Sequence, residues 1–589
     1  MRNRLRTLLP ILATAGVLAA AGCTGGGSPS ASQSSQAGGA PATGAAADPN
    51  SLPRNETLYT SGVQWGPPAN YNPIREWDHA AGTKGLVYET LFHFDTTTLK
   101  LTPWLAESGS WTDDTTYTLK LRPGVKWSDG TPFTAKDVAF TYELGKMETS
   151  PYHQLWEWLK KAEAVDDQTV KFTFSTANYQ EWDFNLYGRA IVPQHIWSKL
   201  SEEDVLNGVN DDAVGTGAYK FLSKDQDRVV LQRRDDWWGK TALKMEPKPK
   251  YIVDIVNGSN EVAMGLLLQK GLDLSNNFLP GIANLVQGGK FGITTYYNEP
   301  PYMLSANTAW LVPNTKKKPM DDPAFRRALA ASIDTKKIVE GVYGNLVKAS
   351  DPTGLLPQWD QYIDKTLTGG AGFSFDKAKA KKLLADAGYK DGDGDGFVEN
   401  KDGSKISLSL IVPSGWTDWM EASRSIAGSA KDAGINITPD FPDFNALVEK
   451  RGKGDFDLVI NNERQLSNSP FTYYQYVFQL PVNKVQNTVN FGRYENKKAW
   501  DLVQKLDQVK TDDVEGMKSI LSEIEKIHLD ELPAIPLWYN GLWSQTSTAV
   551  WKNWPSSAQG APKTPAVTWR NWWELGGFET LTQLQPAGS

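Results

Sequence analysis

Cysteine is almost absent from this chain of 589 residues, in which Cys23 is the only one. A disulfide needs two thiols, so none can form within the chain. Histidine is also scarce, and the five residues show no spacing typical of metal ligands: His79, His93, His153, His195 and His528. The sequence therefore excludes a disulfide-stapled scaffold and does not indicate a zinc centre.

Motifs of enzymatic catalysis are missing as well. The chain contains no Gly-x-Ser-x-Gly motif of the kind that presents a nucleophilic serine. The two carboxylates of a glycosidase meet in space rather than in sequence, so among 68 acidic residues such a pair stays open. We expect a protein that is not an enzyme and uses no cofactor for chemistry; a carbohydrate-active hydrolase is the less favoured alternative.

The apolar run at residues 8–21 is too short for a typical membrane span. Arg2, Arg4 and Arg6 precede it, and a basic start followed by a short apolar run is typical of a secretory signal. We assign residues 1–22 to this signal. Residues 23–51, made mostly of small and polar residues, predict a flexible tether.

Cys23 follows Ala20-Ala21-Gly22, which resembles the lipobox of bacterial lipoproteins, although Ala20 stands where leucine is usual. The resemblance implies lipidation of Cys23 and a lipid-anchored position at the outer face of the cytoplasmic membrane, in the cell envelope. An incidental cysteine in a plain secretory leader is the alternative.

The composition is that of an ordinary globular protein, with 40% hydrophobic and 22% charged residues. The chain is too long for one ordinary core, so two or three lobes are expected. Its net charge of -7 makes nucleic acid a poor partner.

The clearest local pattern lies between residues 117 and 143. Apolar and polar residues alternate from Tyr117 to Leu121, which predicts a half-buried strand. Thr134 with Asp137 three residues later predicts the start of a helix. Spacings of three and four predict the residues that this helix buries: Ala135, Val138, Ala139 and Tyr142.

Residues 120–143, Lys-Leu-Arg-Pro-Gly-Val-Lys-Trp-Ser-Asp-Gly-Thr-Pro-Phe-Thr-Ala-Lys-Asp-Val-Ala-Phe-Thr-Tyr-Glu, resemble the signature of family 5 extracytoplasmic solute-binding proteins. These are the oligopeptide, dipeptide and cello-oligosaccharide receptors of ABC importers. The resemblance implies an α/β, two-lobed periplasmic-binding-protein-like fold of class II type. It further implies an extra subdomain in the first lobe and a hinge of two crossovers.

The resemblance also implies the domain boundaries. Lobe I is expected from residues 52–87, 191–295 and 530–589, with an accessory subdomain at 88–190, and lobe II from 296–529. Periodicity within lobe II predicts helices over 377–387, 421–433 and 514–529, and strands over 406–412, 435–437 and 456–460.

An acidic loop follows the first of these helices. Asp391, Asp393 and Asp395 stand at its positions one, three and five, with Gly396 at six. This spacing is typical of an oxygen-lined Ca²⁺ site, completed by the Phe397 carbonyl, Glu399 and Asp402. Asp402 is shorter than the usual glutamate at position twelve. We expect a structural Ca²⁺, with a plain structural turn as the alternative.

The 23 tryptophans suggest carbohydrate, since an indole packs on a sugar ring while amides and acids bind its hydroxyls. Most tryptophans in a chain of this length are core residues, and we assign Trp104, Trp127 and Trp238 to packing. The candidates on loops are Trp65, Trp416, Trp419, Trp538 and Trp543. The resemblance adds Asn70 from the first ligand-facing loop and Asn540 from the return crossover.

One local comparison separates the ligand classes. Peptide-binding members of the family carry a Trp-x-Ala-Asp-Tyr pattern whose Asp holds the peptide ammonium, and the aligned position here is Leu466. The preceding residues are polar and suit hydroxyl groups: Asn461, Asn462, Glu463 and Arg464. A solvated loop is the alternative interpretation of this stretch.

Together these features predict a monomeric receptor that closes on a cello-oligosaccharide-like or other β-linked oligosaccharide. It would pass this ligand to an ABC permease in the membrane. An oligopeptide or dipeptide receptor of the same fold is the main alternative.

Overall fold

The structure is a computed structural model that describes residues 51–588 except 63, 76–78, 290, 369–374, 463, 487, 560–563 and 568–577. These residues belong to one compact unit, Asp48–Ser589. The predicted secretory signal, Cys23 and all but Ser51 of the predicted tether lie outside the described residues. Among the described helices, none has the length and apolarity needed to cross a bilayer.

Seven strands form a mixed sheet, called here the first sheet. Its three central strands are parallel to one another, and the outer pairs are antiparallel. In spatial order the strands are Ile293–Thr295, Gln545–Ser547, Leu274–Ser275, Thr57–Ser61, Tyr251–Ile255, Arg228–Arg233 and Tyr219–Lys224.

Six strands form the second sheet, which is also mixed. Its last three strands in spatial order are parallel, and the other pairs are antiparallel. The order is Lys348–Ala349, Ile535–Leu542, Leu304–Pro313, Leu458–Asn461, Leu408–Ile411 and Ile437–Asp440.

Two peptide connections join the sheets. The chain leaves the first sheet after Ile293–Thr295 and enters the second at Leu304–Pro313. It returns from Ile535–Leu542 to Gln545–Ser547 through two residues only. The two connections run side by side, because Leu304 pairs with Leu542. This is the chain path that a hinge of two crossovers requires.

A separate antiparallel sheet of four strands contains the segment with the clearest sequence pattern. In spatial order its strands are Ala106–Asp113, Thr116–Leu121, Thr169–Phe174 and Leu159–Asp166. Two strand pairs stand outside these sheets: Phe92–Phe94 with Leu101–Pro103, and Trp551–Lys552 with Gln585–Pro586.

The helix that follows in this segment, Ala135–Glu143, begins where the sequence predicts. The Thr134 backbone N–H donates to Asp137 Oδ2 at 2.8 Å, which closes the first turn. The predicted inward residues are all buried: Ala135, Val138, Ala139 and Tyr142.

The remaining helices cover the sheets and link their strands. The α-helices are Tyr179–Gly188, Gln194–Trp197, Glu202–Asn207, Gly239–Ala242, Asn260–Leu268, Ile282–Gly288, Pro323–Ser332, Thr335–Lys337, Lys365–Thr368, Lys377–Asp386, Thr417–Asp432, Phe444–Lys453, Phe471–Phe478, Lys497–Asp507, Val514–Glu531 and Phe578–Gln583. Short 3₁₀ turns lie at Arg54–Glu56, Leu144–Lys146, His153–Glu157, Pro357–Tyr362 and Ser557–Gln559, and a π turn at Ile338–Val342.

Many of the tryptophans lie in the core. Trp104, Trp127 and Trp238, which the sequence assigns to packing, are all buried. One buried group is organised around the carboxylate of Glu89. Three indole N–H groups donate to it: Trp104 Nε1 and Trp237 Nε1 to Oε1 at 2.9 and 3.1 Å, and Trp238 Nε1 to Oε2 at 2.8 Å. We call these four residues the Glu89 cage. Burial raises the pKa of Glu89 despite these donors.

Candidate ligand-binding site

A cavity of ≈ 190 Å³ lies between the carboxyl ends of strands from the two large sheets. On one side it is bounded by the residues after Thr57–Ser61 and Leu274–Ser275 of the first sheet. On the other it is bounded by the residues after Leu408–Ile411 and Leu458–Asn461 of the second. Ligands of open α/β sheets bind at such carboxyl edges, so we call this cavity with its walls the cleft.

Side-chain amides and tryptophans dominate the cleft. The amides are Asn260, Asn276, Asn277, Asn307, Asn462, Gln465 and Asn540. The indoles are Trp65, Trp416, Trp419 and Trp543, joined by Phe278, Leu542 and Val567. Gly62, Ala306, Gly541 and Asp418 complete the described wall.

Aromatic rings meet across the cleft. Trp65, after a first-sheet strand, lies 5.4 Å from Trp416, after a second-sheet strand, with their planes 41° apart. Trp416 also packs edge-on against Trp419 at 5.0 Å. Trp65 and Trp416 are only half-buried, so part of each ring surface stays available to a ligand.

Two amides of the wall have a buried oxygen without a hydrogen-bond partner among the described residues: Asn307 Oδ1 and Asn540 Oδ1. The Asn307 Nδ2 donates to Gln465 Oε1 at 2.8 Å, which fixes the orientation of both amides. A buried polar atom without a partner costs free energy, so these atoms favour a ligand that brings polar hydrogens.

Asp418 supplies the negative charge of the cleft and lies in the first turn of Thr417–Asp432. Its Oδ1 accepts from Asn260 Nδ2 at 3.2 Å, and its Oδ2 accepts from the Tyr343 hydroxyl at 3.1 Å. Burial raises the pKa of Asp418 to about 6, more than these donors lower it. Because Asn260 follows a first-sheet strand, this contact also links the two sides of the cleft.

Charge is otherwise missing from the described wall. Of the described residues that line the cleft, only Asp418 is ionisable as an acid, and none is lysine, arginine or histidine. A ligand carboxylate or phosphate therefore finds no cationic partner among them, whereas uncharged hydroxyl groups find many amides.

The structure brings six of the predicted ligand residues into the cleft: Trp65, Trp416, Trp419, Asn462, Trp543 and Asn540. Glu463 lies outside the described residues. The half-buried Arg464 is not part of the wall. Its charge instead acts on Glu181 in the helix Tyr179–Gly188.

Three other predicted ligand residues are not part of the described wall of the cleft. Trp538 lies inside the strand Ile535–Leu542 and is fully buried, not on a loop. Asn461 is still part of its strand and faces inward, where its Oδ1 accepts from Arg451 at 3.3 Å and from the next backbone N–H at 2.8 Å. Asn70 Oδ1 accepts from the Asn72 backbone N–H at 3.1 Å, so this side chain stabilises a local turn.

Several cleft residues carry no sequence prediction: Asn260, Asn276, Asn277, Asn307 and Asp418. One signal in the sequence points to two of them, because Asn276 and Asn277 directly follow the short strand Leu274–Ser275. Asn307 gives no such signal, since it lies inside a strand.

The predicted calcium loop gathers four of its six proposed ligands. Ligand oxygens of Asp391, Asp393, Asp395 and Glu399 all lie within 4.8 Å of one another. The Lys405 Nζ lies 2.6 Å from Asp393 Oδ2 and also 2.6 Å from Asp395 Oδ2, so an ammonium group already compensates part of this charge.

Asp402 is not in this cluster, contrary to expectation. Its Oδ1 accepts from the Ser404 N–H at 3.0 Å and from the Ser404 hydroxyl at 2.6 Å, so it closes a turn of its own. Phe397 donates its N–H to Asp395 Oδ1 at 2.9 Å. Binding of Ca²⁺ stays a prediction.

The sequence also matches known proteins. The profile of the family described as "Bacterial extracellular solute-binding proteins, family 5 Middle" matches residues 100–483. The chain belongs to this family. Family 5 proteins are non-enzymatic receptors of ABC importers and carry no catalytic cofactor.

Curated family 5 relatives cover most of the chain. The oligopeptide-binding protein AppA of Bacillus subtilis is 27% identical over 451 residues, or 74% of this chain and 78% of AppA. The heme-binding protein A of Haemophilus influenzae is 29% identical over 340 residues, or 52% of this chain and 57% of that protein.

Solved family 5 structures share the fold. A periplasmic oligopeptide-binding protein from Thermotoga maritima, crystallised with mannohexaose, is 40% identical with a TM-score of 0.86, covering 92% of this chain and 100% of that one. AppA with a bound nonapeptide is 22% identical with a TM-score of 0.74, covering 90% and 99%. The predicted two-lobed α/β fold is therefore confirmed.

Proposed function

We propose that this family 5 receptor binds uncharged oligosaccharides, of the cello-oligosaccharide type or another β-linked type, and delivers them to an ABC permease. The observation that carries the proposal is the composition of the cleft: four indoles and seven side-chain amides with one buried acid. An indole face packs on the C–H face of a sugar ring, and amides bind hydroxyls.

The amide oxygens without partners favour hydroxyl groups in particular. Asn307 Oδ1 is an acceptor, because the bond to Gln465 fixes its amide, whereas Asn540 presents an acceptor in one amide orientation and a donor in the other. A sugar hydroxyl donates and accepts, and therefore satisfies either orientation. A ligand with fixed charges does not match this wall as well.

A similar structure supports the same ligand class. The Thermotoga maritima protein holds mannohexaose. It is 40% identical to this chain and covers 92% of this chain. Both numbers are higher than the corresponding values for AppA with its nonapeptide, 22% and 90%.

We further propose that the protein acts as a monomer and that two lobes with the predicted boundaries close on the ligand. Trp65 and Asn260 come from the first-sheet side, and Trp416 and Asp418 from the second-sheet side. A ligand that contacts both sides stabilises the closed state relative to the open one, which is the free-energy source for closure.

A peptide ligand is the second candidate. Curated relatives include oligopeptide-binding and dipeptide-binding proteins. Asp418 offers a carboxylate to a peptide ammonium group, although Asn260 and Tyr343 already donate to its two oxygens. Leu466, at the position of the family's ammonium-binding Asp, is buried and cannot take that role.

Titration calorimetry on the purified protein separates the candidates. We titrate three ligands separately: cellohexaose, mannohexaose, and peptides of two to five residues whose side chains are uncharged. Tryptophan fluorescence is the second readout, because indoles line the cleft. We expect saturable heat and a fluorescence change with at least one hexasaccharide and neither with the peptides. Peptide binding without sugar binding would refute the oligosaccharide proposal.

Attachment to the membrane is proposed separately, through a lipid on Cys23 and the tether at 23–51. If the lipid holds the protein at the outer face of the cytoplasmic membrane, Cys23→Ser should release it into the soluble fraction. An unchanged membrane fraction for the variant would contradict lipid anchoring and leave the ligand proposal untouched.

A further inference from the structure

An aromatic side chain lies just beyond the described wall of the cleft. Phe444 is the first residue of the helix Phe444–Lys453, and 38% of its surface is exposed. Its ring stacks on the ring of Trp416, with centroids 6.0 Å apart and planes 23° apart. Trp416 is part of the wall, so Phe444 continues an aromatic surface from the cavity outward.

The topology of the second sheet places Phe444 in line with two residues of the cleft wall. Three neighbouring parallel strands end at one edge, in the order Leu458–Asn461, Leu408–Ile411 and Ile437–Asp440. The residues after them are, in the same order, Asn462, Trp416 and Phe444. The first two line the cleft, and the third is the next step along the same edge.

Core packing does not account for Phe444. Its helix buries Leu447, and Phe444 is not among the described apolar residues that pack in the core. Val448, one turn after Phe444, is exposed to the same 38%. An exposed aromatic that continues a binding surface is more informative than a single exposed apolar residue elsewhere.

The size of the cavity explains why a ligand needs such a surface. The cavity volume of ≈ 190 Å³ is below the roughly 300–1,000 Å³ typical of ligand pockets. An oligosaccharide of several units must therefore leave the cavity, and the edge past Trp416 offers an aromatic surface on which it can pack.

We infer that Phe444 forms an outer subsite for the sugar units of a long oligosaccharide that extend beyond the cavity. The inference rests on the proposed function and adds to it a ligand length: the receptor favours chains longer than the cavity holds. A sugar ring packs against the exposed surface of Phe444 while inner units contact Trp65, Trp416 and the amides.

The test is the dependence of affinity on chain length. Calorimetry with the purified wild-type protein and Phe444→Ala uses the cello- and manno-oligosaccharides of two to six units. Because Phe444→Ala removes a ring on which a sugar unit packs, we expect a loss of about 3- to 10-fold for the hexasaccharide, equal to about 0.7–1.4 kcal/mol. The shortest ligand that still binds should change by less than about twofold, since it does not reach the outer subsite.

Two variants make the result specific. Phe444→Trp keeps an aromatic face and should restore the hexasaccharide affinity. Phe375→Ala removes a phenylalanine of similar exposure, 39%, that is not part of the cleft wall, and should bind all ligands as wild type does. Thermal unfolding of each variant verifies that the fold is intact.

The outcomes separate this inference from the proposed function. An equal loss at every chain length would mean that Phe444 only supports Trp416, and no loss at any length would mean that it touches no ligand; either result overturns the outer subsite. Wild-type protein that binds no oligosaccharide would refute the proposed function itself, and the subsite with it.

Discussion

Two groups of tryptophans in this protein use the same side chain in opposite ways. In the Glu89 cage, three buried indoles point their N–H groups at one carboxylate. In the cleft, Trp65 and Trp416 are half-buried and lie among amides and one acid. The cage is complete within the protein, whereas the cleft leaves ring surface and amide oxygens without partners among the described residues.

The comparison shows what separates a structural tryptophan from a binding one. Exposure alone is not enough, because Trp419 and Trp543 line the cleft although they are largely buried. What differs is whether neighbouring polar groups already satisfy one another. Changes in the cage should therefore affect stability, and changes in the cleft should affect ligand affinity.

The largest effect is expected from Glu89→Gln. Whichever way the new amide turns, its NH₂ group faces at least one indole N–H that now donates to a carboxylate oxygen. Leaving buried donors without an acceptor should lower the free energy of unfolding by about 2–4 kcal/mol. Urea unfolding measures this, and Glu107→Gln, at an exposed position, is the control. Unchanged stability would mean that the cage is not a structural unit.

The acid of the cleft should make stability depend on pH. Burial raises the pKa of Asp418 from 3.8 to about 6 in the folded protein, so the folded state holds this proton more tightly than the unfolded one. The resulting stabilisation is fully present below the unfolded pKa and is lost as pH rises through the folded pKa. From pH 4 to 7 the loss from this group should be about 2–3 kcal/mol.

Asp418→Asn removes this titration. The stability of the wild type relative to Asp418→Asn, measured by urea unfolding without ligand, should therefore decrease between pH 4 and 7. Asp235→Asn removes one charge at a side chain that is 88% exposed and is the control. A wild-type-to-variant difference that stays constant over this pH range would contradict the burial of an ionisable group in the cleft.

Removal of one cleft indole should mainly weaken binding. Trp416→Ala deletes the ring that lies between Trp65 and Phe444, and we expect about a tenfold loss of hexasaccharide affinity, equal to about 1.4 kcal/mol. The melting temperature should change little, because Trp416 is half-buried. Trp111→Ala, at another half-buried indole in the four-stranded sheet, should keep the affinity of the wild type. Equal affinities of Trp416→Ala and wild type would remove Trp416 from the site.

The smallest effect is expected at the acidic loop. If the loop binds Ca²⁺ only in the folded protein, excess Ca²⁺ should raise the melting temperature by mass action. At a concentration about 100-fold above Kd, we expect a rise of about 1–4 °C. Asp391→Asn should abolish the shift. No response of the wild type to Ca²⁺ would leave Lys405 as the partner of these acids and refute the calcium prediction.

Much of the fold is predictable because periodic patterns report burial directly. Helices predicted over 377–387 and 514–529 are observed as Lys377–Asp386 and Val514–Glu531. The helix predicted from residue 421 begins earlier, at Thr417. Its first turn carries Asp418 and Trp419, which line the cleft and are buried at the same helical spacing as Ala422 and Ile426.

The site is less predictable because single steps along a strand decide which side chains reach it. Asn461 is the last strand residue and faces inward, whereas Asn462 lines the cleft. Trp538 and Asn540 lie two residues apart in one strand and therefore on the same face, yet only Asn540, which is nearer the end of the strand, lines the cleft. Successive side chains of a strand point to opposite faces, and sequence alone does not fix which face meets the cleft.

The most direct test of the account is a crystal structure of the protein grown with cellohexaose or mannohexaose. We expect a sugar ring on the Trp65 and Trp416 side of the cleft, with hydroxyl oxygens about 2.7–3.2 Å from the Asn307 and Asn540 amides. A sugar bound away from these residues, or a cleft that holds a peptide instead, would contradict it.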